Sequence, residues 1–238
     1  CALPISDAQG PPRTLLPMVL LLVIIVSGFL AEGARLSILQ ADAFPWASPL
    51  GWLFSLISPA SPVFMQMMIR LHFFAVLLLI AAIPFTFMRH AVASPLNVFH
   101  KKQGARAALT YPAIETGEIG AKTVEDLSWK QMLDAEACVA CGRCDENCPA
   151  TISGKPLSPR KVIRNIREQM ETVSAAQRHL WNTPEAPLLE NAVSADEMWA
   201  CTSCMACVEH CPVSIEPLDK IIDMRRYQVM GDARLPAE

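Results

Sequence analysis

Two long apolar runs open this chain, and helical alternation replaces them further on. Leu15 to Ala31 is apolar apart from Ser27 and Gly28. Pro17 falls in what would be the first turn, where proline is tolerated. A membrane span takes about 17–25 residues. Extending the run through Glu32, Gly33 and Arg35 predicts a helix over about 14–38, with those two charges at an interface or facing a protein interior. A secretory signal peptide competes for this run, but a second long apolar run lies downstream. That run starts at Val63, and from Leu71 to Met88 its only strongly polar side chains are His72 and Thr86. It predicts a second span over about 63–90. Between the two, Pro45, Pro49, Pro59 and Pro62 punctuate a stretch with Trp46, Trp52, Phe54 and the single charge Asp42. An interfacial loop or short surface helix fits that pattern.

From residue 123 the pattern is that of soluble helices. Thr123 with Asp126 reads as a cap before Leu127 to Ala137. Ser158 and Pro159 read as N-cap and first helical position. Val162, Ile163, Ile166, Met170 and Val173 follow at helical spacing. The opposite face carries Arg160, Lys161, Arg164, Arg167 and Glu171. It reads as a solvated face, or as a dock for an acidic partner. Ser194 with Glu197 repeats the capping pattern, and Leu218, Ile221, Ile222 and Arg225 mark a last helix from Pro217. The expected fold class is all-α: residues 1–95 hold two transmembrane helices, 96–122 form a linker, and 123–238 form an α-helical domain.

Charge orients the spans. The loop after Arg35 has no lysine or arginine until Arg70, whereas Arg89, Lys101, Lys102 and Arg106 follow the second span. The positive-inside rule then puts residues beyond 90 in the cytoplasm. A net charge of −3 gives no case for nucleic acid as a partner. Hydrophobic residues make up 52% of the chain, concentrated in the first 95 or so. The chain starts at Cys1 without methionine and stops just after an amphipathic stretch, so a piece of a longer protein is expected.

Eight of the nine cysteines change the picture most. Cys138, Cys141, Cys144 and Cys148 form C-x2-C-x2-C-x3-C, followed by Pro149, and Cys201, Cys204, Cys207 and Cys211 repeat it, followed by Pro212. Thiolates at this spacing bind two cubane iron–sulfur clusters. Disulfides compete, but secreted scaffolds do not space cysteines this way. The fourth cysteine of each run ligates the other run's cluster in two-cluster ferredoxins. The assignment is Cys138, Cys141, Cys144 and Cys211 for one [4Fe-4S] cluster, and Cys201, Cys204, Cys207 and Cys148 for the other. Residues 149–200 between the runs are helical in pattern, so the domain is an α-helical ferredoxin type. Cys1 has no assigned role.

His72 and His90 lie five helical turns apart and about 27 Å along one helix. An imidazole near each membrane surface, on one face, is what stacked b haems require. The alternative is two interfacial histidines without ligands. Pro84 between them loosens the phase. His100 reads as a loop residue, and His179 and His210 lie in the soluble half.

The chain resembles two known families. The cysteine runs are similar to the α-helical ferredoxin of the HdrC-type component of heterodisulfide reductase and of succinate dehydrogenase-type proteins. The first half resembles the last helices of the cytochrome b (gamma) subunit of nitrate reductase, a partial cytochrome b helix bundle. The strings Gly28-Phe29-Leu30-Ala31-Glu32-Gly33-Ala34-Arg35 and Ser94-Pro95-Leu96-Asn97-Val98-Phe99 resemble fused membrane iron–sulfur reductases of the heterodisulfide-reductase-related group. That group includes enzymes linking electron-transfer flavoprotein to menaquinone. The resemblance implies haem b at His72 and His90, with partner histidines on a helix outside this sequence. It also implies a cysteine-rich CCG-type domain that this sequence does not include, which leaves open whether the chain alone is an enzyme.

The expected function is membrane-bound electron transfer between a cytoplasmic redox partner and quinone, in the cytoplasmic membrane and in contact with lipid. Glu32 and Arg35 are candidates for the quinone neighbourhood, or a structural pair. The rivals are an electron-transfer component of a heterodisulfide or other disulfide reductase, and a membrane-tethered ferredoxin without haem.

Overall fold

The computed structural model describes residues 11–39, 48–104, 119–179 and 187–234. Cys1, Asp42, Trp46, Arg106, most of the expected linker and the side chain of His179 lie outside the described residues. Among the described residues the structure is helical with no β-strand, as the pattern predicts. The chain divides into two units, Cys1–Arg89 and His90–Glu238.

In the first unit, α1 (Pro11–Leu39) packs against α2 (Pro49–Ser55) and α3 (Pro62–Ala82). Leu15–Leu39 and Pro62–Phe85 are long and apolar enough to cross a membrane. Only 17% and 11% of their apolar windows are buried. Small residues set the contacts. A Cβ built at Gly33 would stand 2.7 Å from the Phe54 carbonyl carbon, so α2 reaches the α1 backbone only because Gly33 lacks one. Phe29 stacks on Phe54 with ring centroids 5.5 Å apart. Ser37 Oγ donates to the Ser55 carbonyl at 3.0 Å. Gly33→Ala is expected to force these backbones apart and to destabilise the unit by about 1–3 kcal/mol. Thermal unfolding of the full chain in detergent checks this, with Gly104→Ala, where a Cβ meets nothing within 4 Å, as the control.

The second span differs from its expected form. A helix through residue 90 is not what forms: α3 ends at Ala82, and a 3-10 turn, Ile83–Phe85, holds Pro84. Thr86 is extended (φ −121°, ψ 174°), Phe87–Arg89 is a second 3-10 turn, and His90 opens α4 (His90–Phe99). Pro84 has no N–H to give the carbonyl four residues back, and its ring clashes with that carbonyl. His72 and His90 therefore lie on different helices, and the five-turn phase relation between them does not apply.

The second unit begins with α4 and is built around α5 (Trp129–Ala137), α8 (Pro159–His179) and α12 (Pro217–Arg226). Val162, Ile163 and Ile166 of α8 are at most 2% exposed and form its core with Ala135, Met198, Ile221 and Met224. Each such aliphatic side chain contributes about 1.5–3 kcal/mol. The Thr123–Asp126 capping box forms on a 3-10 turn, while α5 starts at Trp129 behind its own box, Ser128 with Gln131. Ser194 and Glu197 cap α10 (Ala195–Trp199) as predicted. The α8 face read as solvated is not uniformly so: Arg167 is 4% exposed. Its aliphatic stem packs while its charge is paired, a state that hydrophobic periodicity does not reveal.

Candidate iron–sulfur site

Each cysteine run folds as a tight loop and a one-turn helix. Cys138 ends α5, and Cys144 lies on α6 (Arg143–Glu146). Cys148 precedes α7 (Pro149–Ile152), whose first residue, Pro149, needs no N–H donor there. A kinked turn, α9 (Leu188–Asn191), precedes α10. Cys201 follows α10, Cys207 lies on α11 (Ala206–Glu209), and Cys211 comes after it.

The two runs share a backbone. Ala140 (φ 54°) and Ser203 (φ 55°) stand two residues after the first cysteine of each run, and both are left-handed. Gly142 (φ 82°) and Met205 (φ 64°) stand one residue after the second, again both left-handed. Alternating left- and right-handed residues turns successive N–H groups inward, a concavity that suits anions and iron–sulfur sites. Met205 holds this conformation against the usual steric penalty of about 1–2 kcal/mol, where the first run has glycine. The N–H of Ser203 donates to Cys201 Sγ at 3.4 Å, and the N–H of Ile215 donates to Cys211 Sγ at 3.3 Å.

The thiols fall into two groups. Burial raises the Cys138 thiol above its ordinary value, and Cys211 and Cys141 add to the effect. Burial also raises Cys144, with Asp145, Cys138, Cys207 and Cys141 adding to the effect. Cys207 is pushed up to about 12, by burial first and then by Cys201, Cys148 and Cys204. Burial raises Cys211 too, opposed by the N–H groups of Ile215 and Val213. One pocket is lined by Cys138, Cys141, Cys144 and Cys211 together with Cys207, so the two groups adjoin. Among the described residues no three His, Cys, Asp or Glu side chains converge as they would around one metal ion. Zinc draws thiolates to about 2.3 Å, whereas a cubane holds its four ligands apart by its own breadth. Eight soft thiolates in two spread groups, each lined by inward N–H groups, fit iron–sulfur cubanes.

Residues outside the runs hold the loops. Ser94 Oγ donates to the Ala137 carbonyl at 2.8 Å, and Asn97 Nδ2 donates to the Val213 carbonyl at 2.9 Å. Helix α4, expected to end the span and begin the linker, thus ties together the segment before Cys138 and the one after Cys211. Composition gave no sign of this, but the string Ser94-Pro95-Leu96-Asn97 that carries part of the resemblance marks it. Asp145 accepts from Arg160 Nε at 3.0 Å and from Ser158 Oγ at 2.9 Å. Arg167 faces Glu136 at 3.7 Å and Glu171 at 3.6 Å. His210 lines an open groove with Cys204, Met205 and Glu209. His100, just past α4, packs edge-on against Phe99 and Trp129.

In the first unit, His72 Nδ1 stands 2.9 Å from the Ile24 carbonyl of α1. A carbonyl only accepts, so Nδ1 is the donor in this contact, and Ser27 Oγ also stands 3.3 Å from it. The ring lies against Gly28, where a Cβ would come within 3.2 Å of His72 Cε1. Glu32 and Arg35 pair with each other through two hydrogen bonds of 2.7 and 2.8 Å. His90 starts α4 in the other unit.

The 4Fe-4S dicluster domain family matches residues 137–215. The "EtfAB:quinone oxidoreductase" of Syntrophomonas wolfei is 34% identical over 93% of this chain and 36% of its own length. A "Probable membrane-anchored ferredoxin" of Chromohalobacter salexigens is 32% identical over 63% of this chain and 27% of its own length. The HdrC-type component of the ferredoxin:CoB-CoM heterodisulfide reductase of Methanosarcina mazei is 32% identical over 41% of this chain and 48% of its own. The chain spans 36% or less of the length of the first two relatives. No solved structure matches it. The chain thus carries a 4Fe-4S dicluster domain and is related to quinone oxidoreductase and heterodisulfide reductase proteins.

Proposed function

We propose that the chain is a membrane-bound relay passing electrons between a redox protein in the cytoplasm and the quinone pool of the cytoplasmic membrane. The observation that carries this is the pair of adjoining thiol groups in a chain that also holds two helices able to span a membrane. In this reading Cys138, Cys141, Cys144 and Cys211 hold one [4Fe-4S] cluster, and Cys201, Cys204, Cys207 and Cys148 hold the other. When bound, the clusters supply one-electron transfer at low reorganisation. The protein's part is to hold the thiolates, aim N–H groups at them and keep the two sites adjacent. Residues 1–95 serve as the membrane domain and residues beyond 122 as the cluster domain.

His72 is the candidate haem ligand with structural support. Metal-bound histidines commonly donate the other ring N–H to a backbone carbonyl, which fixes the ring and the tautomer. The Ile24 carbonyl does this for His72 and leaves Nε2 for iron. His90 enters on the resemblance alone, and so do menaquinone and electron-transfer flavoprotein as partners. The quinone partner is also what the printed name of the Syntrophomonas wolfei relative indicates.

A reduced-minus-oxidised visible spectrum of the protein in its native membranes tests this. We expect sharp b-type bands that fall by about half in His72→Ala, one of two haems being lost. Broad cluster bleaching alone would remove haem from the reading and leave a tethered ferredoxin. The match to a heterodisulfide reductase component over the dicluster region favours a second reading, electron supply to a disulfide reductase. Reoxidation of the reduced protein by a disulfide but not by a quinone would select it.

A further inference from the structure

We propose that Arg225 makes the site formed with the second cysteine run the more oxidising of the two, and so sets where an electron settles. This rests on the cluster ligation given above.

Arg225 lies on α12 and reaches back over the second run. Its Nη2 donates to the Met198 carbonyl at 2.6 Å and to the Cys201 carbonyl at 2.7 Å. Its guanidinium carbon sits 4.9 Å from the centre of the Trp199 ring. That ring is held in turn by Trp199 Nε1, which donates to Gln228 Oε1 at 2.9 Å. The cation is thus fixed in place before any electron arrives. Among the described residues no carboxylate pairs with it, and Cys201 is the ionisable group that acts on it.

The first run has cations as well: Arg143 is exposed to solvent, which screens its charge, and the buried or half-buried ones come with acid. Arg167 acts on Cys138 and faces Glu136 and Glu171. Arg160 pairs with Asp145, and Lys220 pairs with Asp134. Asp145 acts directly on Cys144, and Asp134 acts on Cys211. The internal repeat locates the acidic part of the difference, alongside the exposed Arg143 of the first run where the second has Ala206. Glu146 and Glu209 occupy matching positions, two residues after the third cysteine, so they offset one another. One residue after that cysteine the first run has Asp145 and the second has Val208. The groups acting on Cys207 are other thiols, with no carboxylate among them.

Reduction adds one negative charge to a site. A fixed cation without an acid partner favours the reduced form, and neighbouring carboxylates disfavour it. One electron therefore leaves the reduced first site, which is oxidised, and enters the oxidised second site, which is reduced. No bond breaks and no proton moves in that step.

The test is a potentiometric titration of the full chain, followed by the electron paramagnetic resonance of its reduced clusters. Two one-electron steps are expected in the unaltered chain. In Arg225→Gln the upper step should fall enough to shift the electron-sharing equilibrium at least tenfold, about 59 mV for one electron, while the lower step stays. Arg225→Lys keeps the charge and should restore most of the shift. Cys204→Ser puts a harder oxygen donor on the second site and should move the upper step alone. A shift confined to the lower step in either Arg225→Gln or Cys204→Ser overturns the proposal, and so does an upper step indifferent to Arg225→Gln. Should Arg225→Gln fail to hold both clusters, Cys204→Ser decides, because the second run must then own the upper step. Iron and labile sulfide below two cubanes in the unaltered chain would instead overturn the ligation reading.

Discussion

Cys148→Ala is expected to remove one of the two clusters, halve the iron and labile sulfide per chain, and strongly destabilise the helical domain around both runs. Cys148 is 6% exposed and belongs to the core that includes Ala137, Ile163 and Ile215. By chain order it belongs to the first run, yet its thiol acts on Cys207 of the second. In the proposed ligation, removing it breaks a cross-link between segments far apart in sequence. Thiolate-held structural metal contributes on the order of 10 kcal/mol to folding. A whole domain is stable by about 5–15 kcal/mol. Loss of one site is comparable to the entire margin, so the effect should greatly exceed that of any single core truncation, at about 2–5 kcal/mol. Cys207→Ala provides the comparison. With crossed ligation both variants lose the same resonance signal and keep the same remaining one. If Cys148→Ala instead abolishes the signal that Cys207→Ala retains, each run keeps to its own cluster and the crossing is wrong.

Much of this molecule was legible where local chemistry decides structure. The cysteine spacing gave the two loops, because a ligand loop tolerates few other spacings. The apolar runs gave α1 and α3, and the serine caps gave α10 and the start of α8. The pattern misled where one residue outweighed its neighbours. Residues 63–99 read as a span running into a linker, but Pro84 ends the helix early. The next residues then start α4, whose buried Ala93, Ser94 and Asn97 face the cluster domain. Such a helix has a narrow buried stripe of small and polar residues, so hydrophobic periodicity does not mark it. The same holds for Arg167 and Lys220. Arg167 reads as part of a solvated face and Lys220 goes unmarked, because burial of a cation depends on a partner that the linear pattern does not place. What the sequence missed is therefore mostly the polar framework that fixes the loops, and Asp134 is its centre.

Asp134→Ala should be the most damaging substitution outside the cysteines. Asp134 is 1% exposed and Lys220 is fully buried. Lys220 Nζ stands 2.6 Å from Asp134 Oδ2, and Lys130 Nζ stands 2.6 Å from Oδ1. The N–H of Glu216 reaches Oδ2 at 3.4 Å. Burial pushes the Asp134 carboxyl up, but Lys220 and Lys130 outweigh it and hold the carboxyl below its ordinary value. A carboxyl depressed in the folded state stabilises above the ordinary carboxylate range. That stabilisation is lost as pH falls through the lower folded value. Removing the acid leaves Lys220 charged with no counter-ion, which costs about 3–5 kcal/mol. Replacing both partners by apolar residues of similar size, Asp134→Leu with Lys220→Met, should restore most of that loss, since buried pairs are often replaceable as a unit. Denaturant unfolding of the full chain in detergent measures both. Additive losses in the double variant would show that the pair does not act as a unit. The location gives the pair a consequence beyond stability. Asp134 sits one turn before Cys138 on α5, and Glu216 and Lys220 follow Cys211 closely in sequence. The ion pair thus fastens together the two segments whose cysteines share the first site in the proposed ligation. Asp134→Ala should therefore loosen the first cluster before the second, seen as preferential loss of one resonance signal under mild denaturant. Equal loss of both would mean that the pair supports the domain as a whole and not the meeting of Cys138 with Cys211.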